Sequence, residues 1–247
     1  MTEKQKYASD WEKSSDDFVK QNIYNKLSEQ LSSFPIILEI GCGTGQSTLS
    51  LLENGHGVIC IEQNDECLVK AQERIRNTNF TVKDNPKKLK QGEVYFILGD
   101  VTDCVFMNNL LSNIDILNVV LCWNVGTYWD IERKDIINKL LKQWNFDDRY
   151  INEMPESAYV ELIILIACQI AKIQSCALHI VDRGTKNISR ENDPYYYGLK
   201  TEFGFNKISY KNIKASTLSQ SGRKMISDGN VIEMDKVGIT LYSILIE

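Results

Sequence analysis

The sequence predicts a doubly wound α/β fold on a mostly parallel sheet, and three observations lead there. Strand-like apolar runs alternate with helix-like segments along most of the 247 residues. The first of these runs ends in three glycines at alternate positions, Gly41, Gly43 and Gly45, directly before a helix-like stretch. No internal repeat or low-complexity tract interrupts the pattern. Alternation of this kind implies right-handed βαβ crossovers, hence parallel strands with helices on both faces.

Taken in order, Trp11 to Leu31 places Phe18, Ile23, Leu27 and Leu31 at near-helical spacing with charge between, and Pro35 closes the region. "IILEI" (36–40) is the first strand, and "STLSLLENG" is a helix stopped by Gly55. "GVICIEQ" (57–63) is a second buried strand, followed by the amphipathic helix "DECLVKAQERI" (65–75). "EVYFILGD" (93–100) is a third strand, "VFMNNLLSN" a short helix and "IDILNVVLCW" (114–123) a fourth strand. Ile131 to Trp144 carries Ile136, Ile137, Leu140 and Leu141 on one face, and Pro155 opens a longer, largely apolar helix that should be well buried. "CALHIVD" (176–182) is a fifth strand. "FGFNKISY" and "GITLYSILI" have little helix between them, so they are expected to form an antiparallel hairpin at the sheet edge, for seven strands in all. No strong linker is visible, and 1–247 is expected to be one domain, with 1–33 as a helical cap and 130–174 as a helical insertion near the site.

Composition narrows the function. Apolar residues make up 43% and charged residues 25%, a normal globular balance. A net charge of −5 argues against nucleic acid as the main partner, because phosphate binding usually needs a basic surface. The one dense basic stretch, "KDNPKKLK" (83–90), has an Asn-Pro centre and is expected to be a solvated loop. Seven cysteines with no C-x-x-C pair suggest buried thiols in a reducing cytosol rather than a disulfide frame or a zinc site. The N-terminus has no signal-like apolar core, and "LIILIAC" is far too short to span a bilayer, so a cytoplasmic location is expected. No His/Asp/Glu cluster has metal-ligand spacing, so no metal is expected.

The glycines sit where a doubly wound sheet opens its ligand cleft. Without a Cβ the backbone reaches φ > 0 and a ligand approaches closely, while the following helix N-terminus presents free N–H groups. The dinucleotide fingerprint needs G-x-x-G after its first pair; here position 46 is Gln, and no Gly-Lys-Ser/Thr phosphate loop follows.

"LEIGCGTGQST" resembles the first motif of the class I S-adenosylmethionine-dependent methyltransferases, an acidic residue followed by G-x-G-x-G. The resemblance covers Ile36 to Trp129 and implies a Rossmann-like methyltransferase fold with S-adenosylmethionine as cofactor. It implies that Gly41, Cys42, Gly43 and Gly45 wrap the amino-acid part, with Glu39 steadying the loop. It further implies that Glu62, with Gln63 beside it, holds the ribose hydroxyls, a carboxylate having two oxygens to accept from a diol. Asp100, with Val101 next to it, is expected to meet the adenine, and Cys122 to stand at the end of the fourth strand near the cofactor. Each of these three acids has a structural alternative as a strand-end, turn or helix-capping residue.

"CWNVGTYW" follows the fourth strand, where the methyl should emerge. Trp123, Tyr128 and Trp129 are expected to shape the substrate pocket or pack in the core, and Asn124 and Tyr128 are the candidates nearest the chemistry. Tyr7 and Trp11 are candidate lid aromatics, and 144–154 is expected near the pocket mouth. The Asp/Asn-Pro-Pro-Tyr/Phe signature of amino-directed members is absent, as is Pro-Cys. His56 is expected to be exposed in a turn and His179 to be packed within the fifth strand, so no general base is named. The expected activity is methyl transfer to an N, O or S nucleophile of a small molecule. The alternatives are an RNA or protein acceptor and an inactive cofactor-binding scaffold. The oligomeric state stays open.

Overall fold

A computed structural model describes residues 1–124, 133–218, 225–227, 230–232 and 236–247. Helix α1 spans Glu3–Lys20, capped by Thr2, whose hydroxyl accepts from the Gln5 N–H while the Gln5 side chain accepts in return. The predicted continuous helix to Leu31 is broken at Asn22, which takes the left-handed conformation (φ 57°) tolerated by Asn, and α2 resumes over Ile23–Ser28.

The winding then follows the predicted alternation. Strand β1 (Ile36–Ile40) leads to α3 (Gln46–Glu53), β2 (Gly57–Glu62), α4 (Asp65–Arg76), a two-residue β3 (Thr81–Val82), β4 (Glu93–Leu98), α5 (Cys104–Leu111) and β5 (Val119–Trp123). Next come α6 (Lys134–Gln143), α7 (Asp148–Glu153), α8 (Pro155–Ile173), β6 (Ala177–Gly184), α9 (Tyr195–Glu202) and β7 (Ile208–Leu218). A separate small hairpin, β8 (Met225–Ser227) with β9 (Asn230–Ile232), precedes β10 (Lys236–Ile246).

The main sheet has eight strands in the order β3-β4-β2-β1-β5-β6-β10-β7, one more than expected because β3 pairs at the β4 edge. All pairings from β3 to β6 are parallel, and β10 runs antiparallel to both β6 and β7, which is the expected edge hairpin. The order reverses between β1 and β5, the switch point at which such sheets bind ligands.

Strand residues alternate between two cores. On β1, Ile36, Leu38 and Ile40 join the core under α5–α9, while Ile37 joins the core under α1–α4. The same alternation at the end of β6 separates its charges. Asp182 turns toward α9, where it accepts from the Tyr196 hydroxyl, and Arg183 lies over the Phe18 ring of α1. His56 is buried at 1% exposure, against the expected exposed turn, because its backbone carbonyl accepts from Gly92 and its Nδ1 meets the Phe34 carbonyl. Among the described residues no helix is long and apolar enough to cross a membrane.

Candidate functional site

A cavity of about 50 Å³ lies at the C-terminal ends of β1, β2, β4 and β5. Among the expected site residues it is lined by Tyr7, Trp11, Gly41, Gly43, Glu62, Gln63, Asp100, Val101 and Asn124.

The glycine loop makes this possible by its backbone. Gly41, Gly43 and Gly45 all have positive φ, at 72°, 55° and 85°. A Cβ on Gly43 would stand 2.2 Å from Nε1 of Trp11, so helix α1 rests on the loop at the bare glycine. Gly45 serves packing instead: its Cβ would stand 2.8 Å from the Ala71 backbone of α4, and it does not line the cavity.

Glu62, ending β2, is 7% exposed, and its carboxylate accepts the Gly43 N–H at 2.8 Å and the Asn64 N–H at 2.9 Å. Burial pushes its pKa up, and the N–H groups of Asn64, Gly43 and Gln63 pull it back. The carboxylate thus couples the ends of β1 and β2 and still faces the cavity with a lone pair on each oxygen. Asp100 accepts the Thr102 N–H at 2.8 Å on one oxygen. Its other oxygen takes the Arg133 guanidinium and, at 3.4 Å, the Tyr159 hydroxyl. That hydroxyl also lies 3.1 Å from Oε1 of Gln63.

Glu39 is elsewhere. It is 1% exposed, faces α3 rather than the cavity, and accepts from Ser47 at 2.5 Å and Thr48 at 2.6 Å. Burial pushes it up, and these hydroxyls partly offset that. It therefore anchors the first turn of α3 to β1, which fixes the loop between them.

Cys42 and Cys122 are buried thiols that do not line the cavity, both pushed above the ordinary range, Cys42 mainly by its hydrogen bond with Cys60 and Cys122 by burial. Trp123 is also buried away from it. Its Nε1–H donates to Nδ1 of His179 at 2.8 Å and its ring stacks with Tyr24. Tyr128 and Trp129 lie outside the described residues. None of residues 144–154 lines the cavity; Tyr159 and Ile163 of α8 do. Arg133, Tyr159 and Ile163 carry no local motif, and only their place on elements folded back over the strand ends marks them.

Asn124 follows β5 in the left-handed conformation (φ 53°), its N–H bound to the Val181 carbonyl at 2.9 Å. This turn aims its side chain across the cavity wall toward Arg183, whose Nε donates to Oδ1 at 2.9 Å.

Helix α1 closes the site by modest contacts. Glu12 pairs with Lys70 and with Arg74 (3.3 Å), and Lys4 pairs with Asp65 (3.3 Å). All five side chains are at least a quarter exposed, so each pair contributes about 0–1 kcal/mol.

Comparison with known proteins agrees with this geometry. The profile of a family described as a methyltransferase domain matches residues 37–142, from β1 through α6. A ribosomal RNA small subunit methyltransferase of Arabidopsis thaliana is 41% identical over 64 residues, which is 26% of this chain and 17% of that protein. The match thus spans under a fifth of that relative's length. A putative RNA methyltransferase from Pyrococcus horikoshii superposes with a TM-score of 0.50 at 13% identity, over 90% of this chain and 83% of the other. An O-methyltransferase family protein from Burkholderia thailandensis gives a TM-score of 0.50 at 12% identity, over 94% and 57%. These two structures share the fold. Residues 37–142 of the chain thus match a methyltransferase domain.

Proposed function

We propose that the chain transfers a methyl group from S-adenosylmethionine to an N, O or S nucleophile of a small molecule. The observation that carries this reading is the position of α1. Its Trp11 lies directly on Gly43, so the strand-end cavity is roofed by the chain's own helix and shaped for a compact acceptor. The cofactor supplies a sulfonium methyl open to in-line displacement, leaving S-adenosylhomocysteine.

The residues present fit that group. Gly43 leaves room where a Cβ would meet Trp11, and Gly41 and Gly43 both take the positive φ that glycine adopts at least cost. The two backbone N–H bonds on Glu62 hold its carboxylate rigid, and a ribose diol would supply donors that favour its ionised form. Asp100 would accept an adenine amine once Arg133 swings aside. Trp11 must also yield some of the space above Gly43, and the weak ion pairs of α1 permit that movement. Asn124 would orient the acceptor by hydrogen bonding. Alignment of acceptor and methyl is worth up to roughly 7–11 kcal/mol in well-oriented systems, so no general base is required for an acceptor that is already nucleophilic.

A second reading, RNA as acceptor, has support of its own. Besides the Arabidopsis relative, a groove of about 920 Å³ carries Lys87 beside Tyr95, Phe106 and Asn109, next to the basic stretch 83–90. Bases stack on aromatic rings, and lysines meet phosphates. The test is a tritiated-methyl transfer from S-adenosylmethionine into a desalted metabolite extract and, separately, into total RNA and protein. Label in the metabolite fraction is the expected outcome. Label confined to RNA would replace the first reading by the second, and label in neither fraction would support a scaffold.

A further inference from the structure

Arg183 is a half-buried guanidinium whose partners among the described residues are all neutral. Nε donates to Asn124 Oδ1 at 2.9 Å, Nη1 reaches Thr217 Oγ1 at 3.4 Å, and the group lies 5.4 Å over the Phe18 ring. Among the described residues no carboxylate stands within ion-pair distance of it. The neighbouring Asp182 points to the opposite sheet face and is taken by Tyr196 at 2.8 Å. Burial lowers the pKa of Arg183, and only the weak pull of Tyr24, Asp182 and Tyr7 opposes this. Withdrawing a cation from water without an anion beside it is unfavourable.

The place of this cation gives the imbalance a meaning. Asn124 and Tyr7 both line the cavity, and Arg183 is bonded to the first and within electrostatic reach of the second. Guanidinium has five N–H donors in a fixed fork, and the bonds to Asn124 and Thr217 use two of them. The remaining donors suit two oxygens side by side, as in a carboxylate or a phosphate. Because the chain carries a net charge of −5, anions are not drawn to it in general, and selection for one needs a local cation.

We propose that Arg183 is the charge-selecting residue of the acceptor site, holding a carboxylate or phosphate group of the acceptor beside Asn124. This rests on the small-molecule reading above and narrows it to acceptors carrying an acidic group. The rival role is purely structural, with Arg183 serving only to fix Asn124.

The test uses the full chain and three matched probes, benzoate, phenyl phosphate and benzamide, titrated by calorimetry with and without saturating S-adenosylhomocysteine. At least one anion should bind about ten-fold or more tighter than the neutral amide, and the better of the two identifies the acidic group. Arg183→Gln should erase that preference while leaving S-adenosylhomocysteine affinity within about two-fold, and Arg183→Lys should keep part of it as a point charge. The assignment is overturned if all three probes bind alike, if neither anion binds, or if the preference survives in Arg183→Gln. The wild-type ratio is read without any variant, so a poorly folding substitution does not block the result. Anion preference without S-adenosylhomocysteine binding would strike the cofactor-dependent reading alone. S-adenosylhomocysteine binding without anion preference would strike the Arg183 assignment alone.

Discussion

The two walls of the cleft are built by different means. The wall on β1, β2 and β4 rests largely on backbone N–H groups: Glu62 accepts from Gly43 and Asn64, 19 and 2 residues away, and Asp100 accepts from Thr102, 2 residues away, with Arg133 and Tyr159 reaching its other oxygen from 33 and 59 positions off. The acceptor wall, beside β5 and β6, is long-range. Arg183 reaches Asn124 across 59 positions and Thr217 across 34, and behind the wall, away from the cavity, Trp123 reaches His179 across 56. Backbone N–H groups set the first wall, and side chains from distant elements set the second. Chemistry common to a family suits the first arrangement, whereas substrate choice suits the second, where one substitution changes a contact without disturbing a loop.

The largest effect that would sharpen this contrast concerns stability on the acceptor side. His179 is wholly buried, and the tryptophan N–H, which only donates, makes its Nδ1 an acceptor. Its Nε2–H therefore donates to Ser243, and the Ser243 hydroxyl donates in turn to Gln30. This one-way chain needs a neutral ring, and burial depresses the ring from its ordinary 6.5 to about 3. A depressed histidine contributes stability that is complete above the unfolded value and is lost as pH falls toward the folded one. The loss should run at about 1.4 kcal/mol per pH unit between those values, on the order of 4 kcal/mol in total. Glu39 and Glu62, both raised by burial, act in the opposite sense, losing stability as pH rises through their folded values. Urea denaturation of the wild type and His179→Gln at several pH values isolates the histidine, because only the wild type should show the added acid sensitivity. Parallel slopes for the two proteins would refute the neutral-ring chain.

On the cofactor side, Gly43→Val should weaken S-adenosylmethionine binding by about 100-fold or more, since it forces a side chain into the space held by Trp11 at a φ that valine avoids. Equilibrium dialysis measures this, with circular dichroism confirming the fold. Glu62→Gln should cost about ten-fold, the scale of one charge-assisted hydrogen bond, while unfolding stability changes little because the buried charge is also removed. The smallest effect belongs to the latch of α1. Glu12→Gln removes its pairs with Lys70 and Arg74 and should raise the cofactor association rate by about two-fold in stopped flow. A slower association would show that α1 guides the cofactor rather than covering the site.

The same contrast governs what could be read before the structure. The parallel sheet, its edge hairpin and the strand ends of the cofactor wall follow from β-branched runs and glycines, which act locally. The break at Asn22 escaped because a left-handed residue inside an otherwise helical pattern leaves no periodic trace. Strand β3 escaped because two residues carry no alternation. The burial of His56 depends on Phe34 and Gly92, which arrive from neighbouring loops. Cys122 and Trp123 were expected near the ligand from their place at the end of a strand. The pleat instead turns Cys122 into the core beneath α8 and Trp123 toward Tyr24 and His179. Arg133, Tyr159 and Arg183 sit in segments with ordinary helical or strand composition, and only tertiary folding brings Tyr159 into the cavity lining and the two arginines behind it, bonded to Asp100 and Asn124.

The most direct measurement of the central claim is a pair of calorimetric titrations on the wild-type chain, one with S-adenosylmethionine and one with NADH. The account predicts saturable binding of the sulfonium cofactor at a single site and no heat above dilution for the dinucleotide, because the loop lacks the third glycine that a pyrophosphate needs. Binding of NADH, or indifference to S-adenosylmethionine at millimolar concentration, would contradict it.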